Sequence, residues 1–204
     1  MGMDTALASA WIARAATVVK ENADYLTELD AAIGDGDHGA NMARGLAASV
    51  QAIKEKAPAT PGKILVTAGS AMVSKTGGAA GPLYGTLLRR AGKSLGDVAA
   101  ADTRAVAAAL ADGLAGVVEQ GQAEAGDKTM VDALIPATES LTAAADAGES
   151  LAEAVKAAAA AATARAAATL PAPSQRWPPN WAGPMSVSRR LAARTTAAWA
   201  RASI

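Results

Sequence analysis

The chain has no cysteine, no phenylalanine and a single histidine, and only 3% of its 204 residues are aromatic. Without cysteine there can be no disulfide framework, which suits the cytoplasm. One histidine and no thiol also leave too few soft ligands for a zinc site. Nothing at the N-terminus has the apolar core of a signal peptide. No lipophilic run of about 20 residues is free of polar interruption except the alanine tract near residue 160, which is too weakly hydrophobic to span a bilayer. Membrane insertion is therefore not expected.

What remains is 51% hydrophobic by count, much of it alanine. That favours helices packed closely through small side chains over a bulky β-sandwich. The length fits one domain, or one domain with a tail, and can bury a real core. The formal net charge of zero hides an asymmetry. Residues 1 to 153 hold 12 Lys and Arg against all 19 Asp and Glu, a net of −7 by difference, whereas residues 154 to 204 hold the other seven cations and no acid. A basic tail on an acidic body is a weak signal for nucleic acid, and the tail has another explanation given below, so no nucleic-acid partner is expected.

Hydrophobic periodicity predicts an all-α fold of about eight antiparallel helices. Asp4 is placed to cap the first, which carries Leu7, Trp11, Ala15, Val18 and Val19 along one face. A second segment from Asn22 carries Tyr25, Leu26 and Leu29. Residues 40–56 follow with Met42, Leu46, Val50 and Ile53 as an inner stripe, ended by Pro58 and Pro61. The spacing next predicts a helix over 62–76 with Ile64, Leu65, Ala68, Met72 and Val73 inside, then one opened by Pro82 that buries Leu83, Leu87 and Leu88. A short turn over 95–99 precedes a long helix over 102–120. After a break at 121–129, Asp127 is expected to cap a helix carrying Met130, Leu134, Ile135 and Leu141 inward despite Pro136. A near-pure alanine helix over 149–168 completes the set.

Between the second and third helices lies LDAAIGDGDHGANMARG, residues 29–45, where Asp30, Asp35, Asp37 and His38 crowd into nine positions with Gly34 and Gly36 between them and Gly39 directly after. Asp-Gly pairs also serve ordinary turns. Three carboxylates so close repel one another, however, and a divalent cation is the simplest thing that holds them together. Hard oxygen ligands suit Mg²⁺ or Ca²⁺. An EF-hand is excluded, because the twelfth position counted from Asp35 is Leu46 rather than Glu. The helix that follows points its N-terminal amides at the same place, an arrangement that suits phosphate.

Two further junctions are rich in glycine. GGAAGPLYGT, residues 77–86, leaves bare backbone at Gly77, Gly78 and Gly81, yet it lacks the lysine and serine of a P-loop. GQAEAGDKTMVDAL spans residues 121–134.

These three strings, in this order, resemble the nucleotide-binding L subunit of dihydroxyacetone kinase, over about residues 5 to 170. The resemblance implies a helical bundle or barrel with an adenine nucleotide, ADP or ATP, at one end, and phosphoryl transfer to dihydroxyacetone. Asp30, Asp35 and Asp37 would hold Mg²⁺, two ions in all. His38 and Asn41 would contact phosphate or metal-bound water, and Gly39 and Met42 would also belong to the nucleotide site, although periodicity alone puts Met42 in the core. Gly77 and Gly78 would approach the phosphates, with Ser74 and Thr76 as hydrogen-bond donors. Gly121 and Met130 would border the adenine, where a small residue and a thioether suit a flat ring. A partner K subunit would bind the triose, and a phosphohistidine M subunit of the phosphotransferase system would recharge retained ADP. A chain that begins close to its first helix favours this form over a fused, ATP-exchanging one. A homodimer is compatible with it. The rival reading is a non-catalytic or impaired nucleotide- and metal-binding module.

The resemblance stops at about Leu170. The family continues with a glycine-arginine-alanine segment and an aspartate-proline-glycine turn, whereas residues 171–204 form a basic tail rich in Arg, Pro and Trp. Read two bases out of step, codons for residues 180–184 can spell Leu-Gly-Arg-Ala, one of the missing segments. The tail is accordingly expected to be a frameshifted translation, which the coding DNA decides, and residues 185–201 could still form one amphipathic helix.

Overall fold

The computed structural model describes residues 2–31 and 34–169, and the expected tail from 171 onward lies outside them. Among the described residues eight helices run in chain order: α1 (Thr5–Glu21), α2 (Ala23–Ala31), α3 (His38–Lys56), α4 (Pro61–Lys75), α5 (Ala80–Leu95), α6 (Thr103–Gly121), α7 (Val131–Asp146) and α8 (Leu151–Thr169). The expected all-α architecture is borne out. Strand β1 (Met3–Asp4) pairs antiparallel with β2 (Ala100–Ala101), a two-residue ribbon that ties the N-terminus to the α5–α6 connection. From α4 to α8 each helix packs on the next, α3 packs on α2 and α4, and α1 leans on α3 and α4. Among the described residues, no helix is long and apolar enough to cross a membrane.

Local chemistry sets the boundaries. Asp4, Thr60 and Asp102 cap α1, α4 and α6 by accepting the amides of Leu7, Lys63 and Ala105. Pro61 opens α4, where its missing N–H costs nothing. Helix α3 starts two residues before the position expected from periodicity, at His38, for a reason given below. The expected capping role of Asp127 is not what forms. Its carboxylate accepts the amide of Glu124, and the start of α7 is organised by Thr129 and Asp132 instead.

The scarcity of large side chains has a clear counterpart in packing. Gly62 and Gly69 of α4 face Gly92 and Gly85 of α5, and a Cβ at Gly62 or Gly69 would stand 2.6 Å from the carbonyl oxygen of Gly92 or Gly85. Seven-residue spacing on both helices repeats this backbone-to-backbone contact along the interface. Larger groups then fill the centre: Tyr84, Ile12, Leu26, Met42, Leu46, Ile64, Met72, Leu88 and Met130 are fully buried.

Two stripe residues expected on an inner face, Leu7 and Val73, are exposed, and so is Tyr25 of the second segment. In α1 the buried face is Ala8, Ile12, Ala15 and Val19: Ala15 and Val19 are buried as expected, while Ala8 and Ile12 take the places expected for Leu7 and Trp11. Alanine at 8 and 15 allows close approach to α3 and α4, and this turns Leu7 and Trp11 toward an apolar cavity of about 630 Å³ that Leu88, Leu110, Leu141 and Val155 also line. Val73 sits at the α4–α5 contact, where its Cγ2 packs over Gly85 without being covered. None of the three aspartates lines the cavity.

Candidate functional site

In an up-and-down arrangement the α2–α3, α4–α5 and α6–α7 junctions alternate with helices that traverse the domain, so they fall at one end. Asp30 lies in the last turn of α2 and is 3% exposed. Its Oδ2 accepts the amides of Asp37 at 2.9 Å and His38 at 3.2 Å. The carboxylate thus caps α3 from a distance of seven residues and lets the helix begin at His38. The two amides it takes lie just ahead of those, from residue 40 onward, that the sequence had suggested were open to phosphate. Gly36 turns the intervening loop with φ +71°, a left-handed conformation that glycine adopts without steric penalty.

That turn brings Asp35 and Asp37, both exposed, back over Asp30. One carboxylate oxygen from each of the three lies within 4.8 Å of the others. The set fits a hard divalent cation: all donors are carboxylate oxygens, two are open to solvent, and the buried one is held by backbone amides.

His38 is buried beside this cluster. Burial lowers its pKa from the usual 6.5, against the opposing pull of Asp30, Asp37 and Asp35. Desolvation penalises the imidazolium more than the three acids favour it. The neutral ring can accept or donate a hydrogen bond. Because the folded state binds its proton less readily than the unfolded chain does, this residue's contribution to stability is complete above pH 6.5 and declines as pH falls below it. Denaturant midpoints between pH 7.5 and 5.5 should therefore fall for the native chain, and fall less steeply for His38→Gln. Equal slopes would show that His38 does not titrate in this way.

The second junction meets the first. Asn41 is buried on α3, and a Cβ on Gly77 would stand 2.9 Å from its side-chain amide. Arg44 joins the two: its Nη2 donates to Asn41 Oδ1, and its Nε donates to the carbonyl oxygen of Lys75 at 2.9 Å. Gly78 has φ +65° and no atom within 4 Å of where a Cβ would be. Helix α5 follows with no side-chain cap on its first turn, so open glycine backbone leads directly into an uncapped helix N-terminus. Thr76 is buried with its hydroxyl 3.7 Å from Met72 Sδ, and exposed Ser74 donates to the carbonyl of Ala71.

Gly39 and Met42 stand differently. Gly39 is pressed against Ala23 and Thr27 of α2, and Met42 is a fully buried core residue. At the third junction Gly121 and Met130 are both buried, and a Cβ on Gly121 would lie 3.3 Å from Leu83 Cδ2.

A family model for the DAK2 domain matches residues 32–176. The chain belongs to the DAK2 domain family. Among its relatives, the ADP-binding subunit DhaL of PEP-dependent dihydroxyacetone kinase 1 from Listeria innocua is 43% identical over 141 residues, or 69% of this chain and 71% of that protein. The corresponding DhaL subunit from Escherichia coli K12 is 33% identical over 180 residues, 88% of this chain and 86% of that one. The crystal structure of the dihydroxyacetone kinase of C. freundii superposes with a TM-score of 0.70 at 25% identity, covering 99% of this chain. This DAK2 domain spans only 34% of that longer kinase.

Two residues of the domain's site escaped the sequence reading. Arg44 looked like the first cation after an acidic loop and nothing more. Asp132 had a readable signal: Thr129-Met-Val-Asp132 has the spacing of a capping box, with aspartate in the place usually held by glutamate.

Proposed function

We propose that this chain is the nucleotide-carrying subunit of a dihydroxyacetone kinase of the phosphotransferase-linked kind. It would hold an adenine nucleotide and Mg²⁺ while a separate K subunit presents the triose and a phosphohistidine M subunit recharges bound ADP. The single observation that carries this reading is the convergence of Asp30, Asp35 and Asp37 within 4.8 Å. The relatives named for ADP binding and the structural likeness to a dihydroxyacetone kinase support it.

Each part of the site has a defined task. Asp30, Asp35 and Asp37 would hold Mg²⁺, one ion or two. An ion held there would supply charge neutralisation for the phosphate oxygens during phosphoryl transfer to a hydroxyl of the triose. Gly77, Gly78 and the open first turn of α5 receive phosphate oxygens through backbone amides. Asn41, oriented by Arg44 and flanked by Gly77, offers an amide at the seam between the first two junctions, to which His38 and Thr76 contribute further buried polar groups. Gly121 and Met130 border the base. Gly39 and Met42 serve the site by packing α3 rather than by touching ligand.

The test uses the purified full chain. It should retain ADP in the presence of Mg²⁺, and it should support triose phosphorylation once K and M subunits and a phosphoenolpyruvate-driven phosphate supply are added. Retention without transfer would favour the rival, a nucleotide-binding module without activity. Absence of retention would end the proposal.

A further inference from the structure

Three helices begin at the junction end, and two of those beginnings carry a buried carboxylate of the chain itself. Asp30 accepts the amides of Asp37 and His38 at the start of α3, and Asp132 accepts those of Gly126 and Thr129 just ahead of α7, while α5 opens without a side-chain cap. Asp132 is the more completely engaged of the two carboxylates. Its side chain is 1% exposed. Oδ1 accepts the amide of Gly126 at 2.8 Å and Oδ2 that of Thr129 at 3.0 Å, while Thr129 Oγ1 accepts the amide of Val131 at 3.2 Å. The loop so gathered contains three left-handed residues, Gln122, Gly126 and Lys128. Two of these are not glycine, and such backbone persists only where the surroundings enforce it.

A carboxylate buried this deeply needs a countercharge as well as donors. Arg165 supplies it from the last turns of α8, with Nη2 3.7 Å from Asp132 Oδ1 and its side chain 51% exposed. The pair therefore joins α8, the α6–α7 loop and the start of α7 at a single point. Its effect on ligand chemistry is directional. With the nearby amides already taken and the carboxylate's charge matched by Arg165, the beginning of α7 has few donors left to offer phosphate, whereas that of α5 is uncapped.

We infer that Asp132, held by Arg165, is a positioning residue that fixes which way round the nucleotide lies. It keeps phosphate away from α7 and shapes residues 121–130 into a wall for the uncharged base. This inference rests on the nucleotide reading proposed above and adds to it a residue pair that governs base recognition separately from phosphate and metal.

Calorimetric titration of the full chain at fixed Mg²⁺, with ADP and inorganic pyrophosphate as the two probes, separates these contributions. In Asp132→Asn the amide group can turn only one acceptor toward the two loop N–H groups and must face the other with a donor. ADP affinity should fall by about tenfold, the scale of one buried polar group left unsatisfied, while pyrophosphate affinity stays within about twofold. Arg165→Gln, a change at a half-exposed position that should not unfold the chain, should show the same selective loss, and Arg165→Lys should restore part of it. Equal weakening of both probes in Arg165→Gln, or unchanged ADP affinity in either Asp132→Asn or Arg165→Gln, would overturn the inference while leaving the nucleotide site in place. A native chain that holds neither probe removes the nucleotide reading and this inference together.

Discussion

Asp35→Asn abolishes the Mg²⁺-dependent binding of ADP and leaves the metal-free protein as stable as before, or slightly more so. Both halves of this expected result follow from one geometry. The Asp35 carboxylate is exposed and lies within 4.8 Å of two others. At that separation two like charges repel by about 1 kcal/mol in water and by about 3.5 kcal/mol at an effective dielectric of 20. An exposed group lies toward the lower figure. Without metal the charge is a small burden, and neutralising it relieves the burden. With Mg²⁺ the same charge is a ligand, and amide oxygen replaces it poorly.

Asp30→Asn should behave in the opposite way when metal is absent. Asp30 is buried and accepts two backbone amides that start α3. The substitution should cost on the order of 1–3 kcal/mol even without ligand. Thermal unfolding with and without Mg²⁺ and ADP separates the two variants. Asp35→Asn should keep its midpoint and lose the ligand-induced rise, whereas Asp30→Asn should lose both. A ligand-induced rise of native size in Asp35→Asn would remove the metal site from the account.

The contrast between these aspartates also marks what could be read from sequence. Three carboxylates separated by glycines over eight positions announce a cluster whatever the tertiary fold, because the turn that gathers them is local. The helix count follows for a similar reason, since Asp4, Thr60, Pro61 and Asp102 act within a single turn of chain. Which member of the cluster is buried is a different matter. Asp30 becomes the internal cap of α3 only because α2 folds against α3, and periodicity in either helix alone carries no trace of that. The same limit explains the shifted face of α1. Apolar size favours the stripe through Leu7 and Trp11, whereas helix proximity is decided by the small residues Ala8 and Ala15. At the α6–α7 junction, Asp127 competed with Asp132 as a cap. Asp132 prevails because Arg165, 33 residues further along the chain, compensates its burial.

Gly39→Ala should be among the most damaging single-methyl changes in the protein, even though Gly39 need not touch a ligand. The resemblance places it among the nucleotide contacts, but the fold places it at the crossing of α2 and α3. An added Cβ would overlap the carbonyl oxygen of Ala23 and stand 2.6 Å from Thr27 Oγ1. Thr27 can rotate, whereas the Ala23 carbonyl belongs to the first turn of α2 and cannot yield unless the helix moves. Overpacking of this kind costs about 1–3 kcal/mol, and a clash with backbone belongs at the upper end. For a domain of this size about 3 kcal/mol lowers the unfolding midpoint by roughly 6–12 °C. Helix α2 carries Asp30 at its far end, so a shifted α2 draws the buried carboxylate away from Asp35 and Asp37, and Mg²⁺-dependent ADP binding should weaken along with stability. Gly78→Ala provides the control. No atom lies within 4 Å of its Cβ position, and the cost is confined to holding alanine at φ +65°, about 1 kcal/mol. Unfolding midpoints should rank native above Gly78→Ala, and Gly78→Ala well above Gly39→Ala. A Gly39→Ala protein as stable as the native chain would mean that α2 does not press on α3 as closely as described, and the internal cap provided by Asp30 would have to be reconsidered with it.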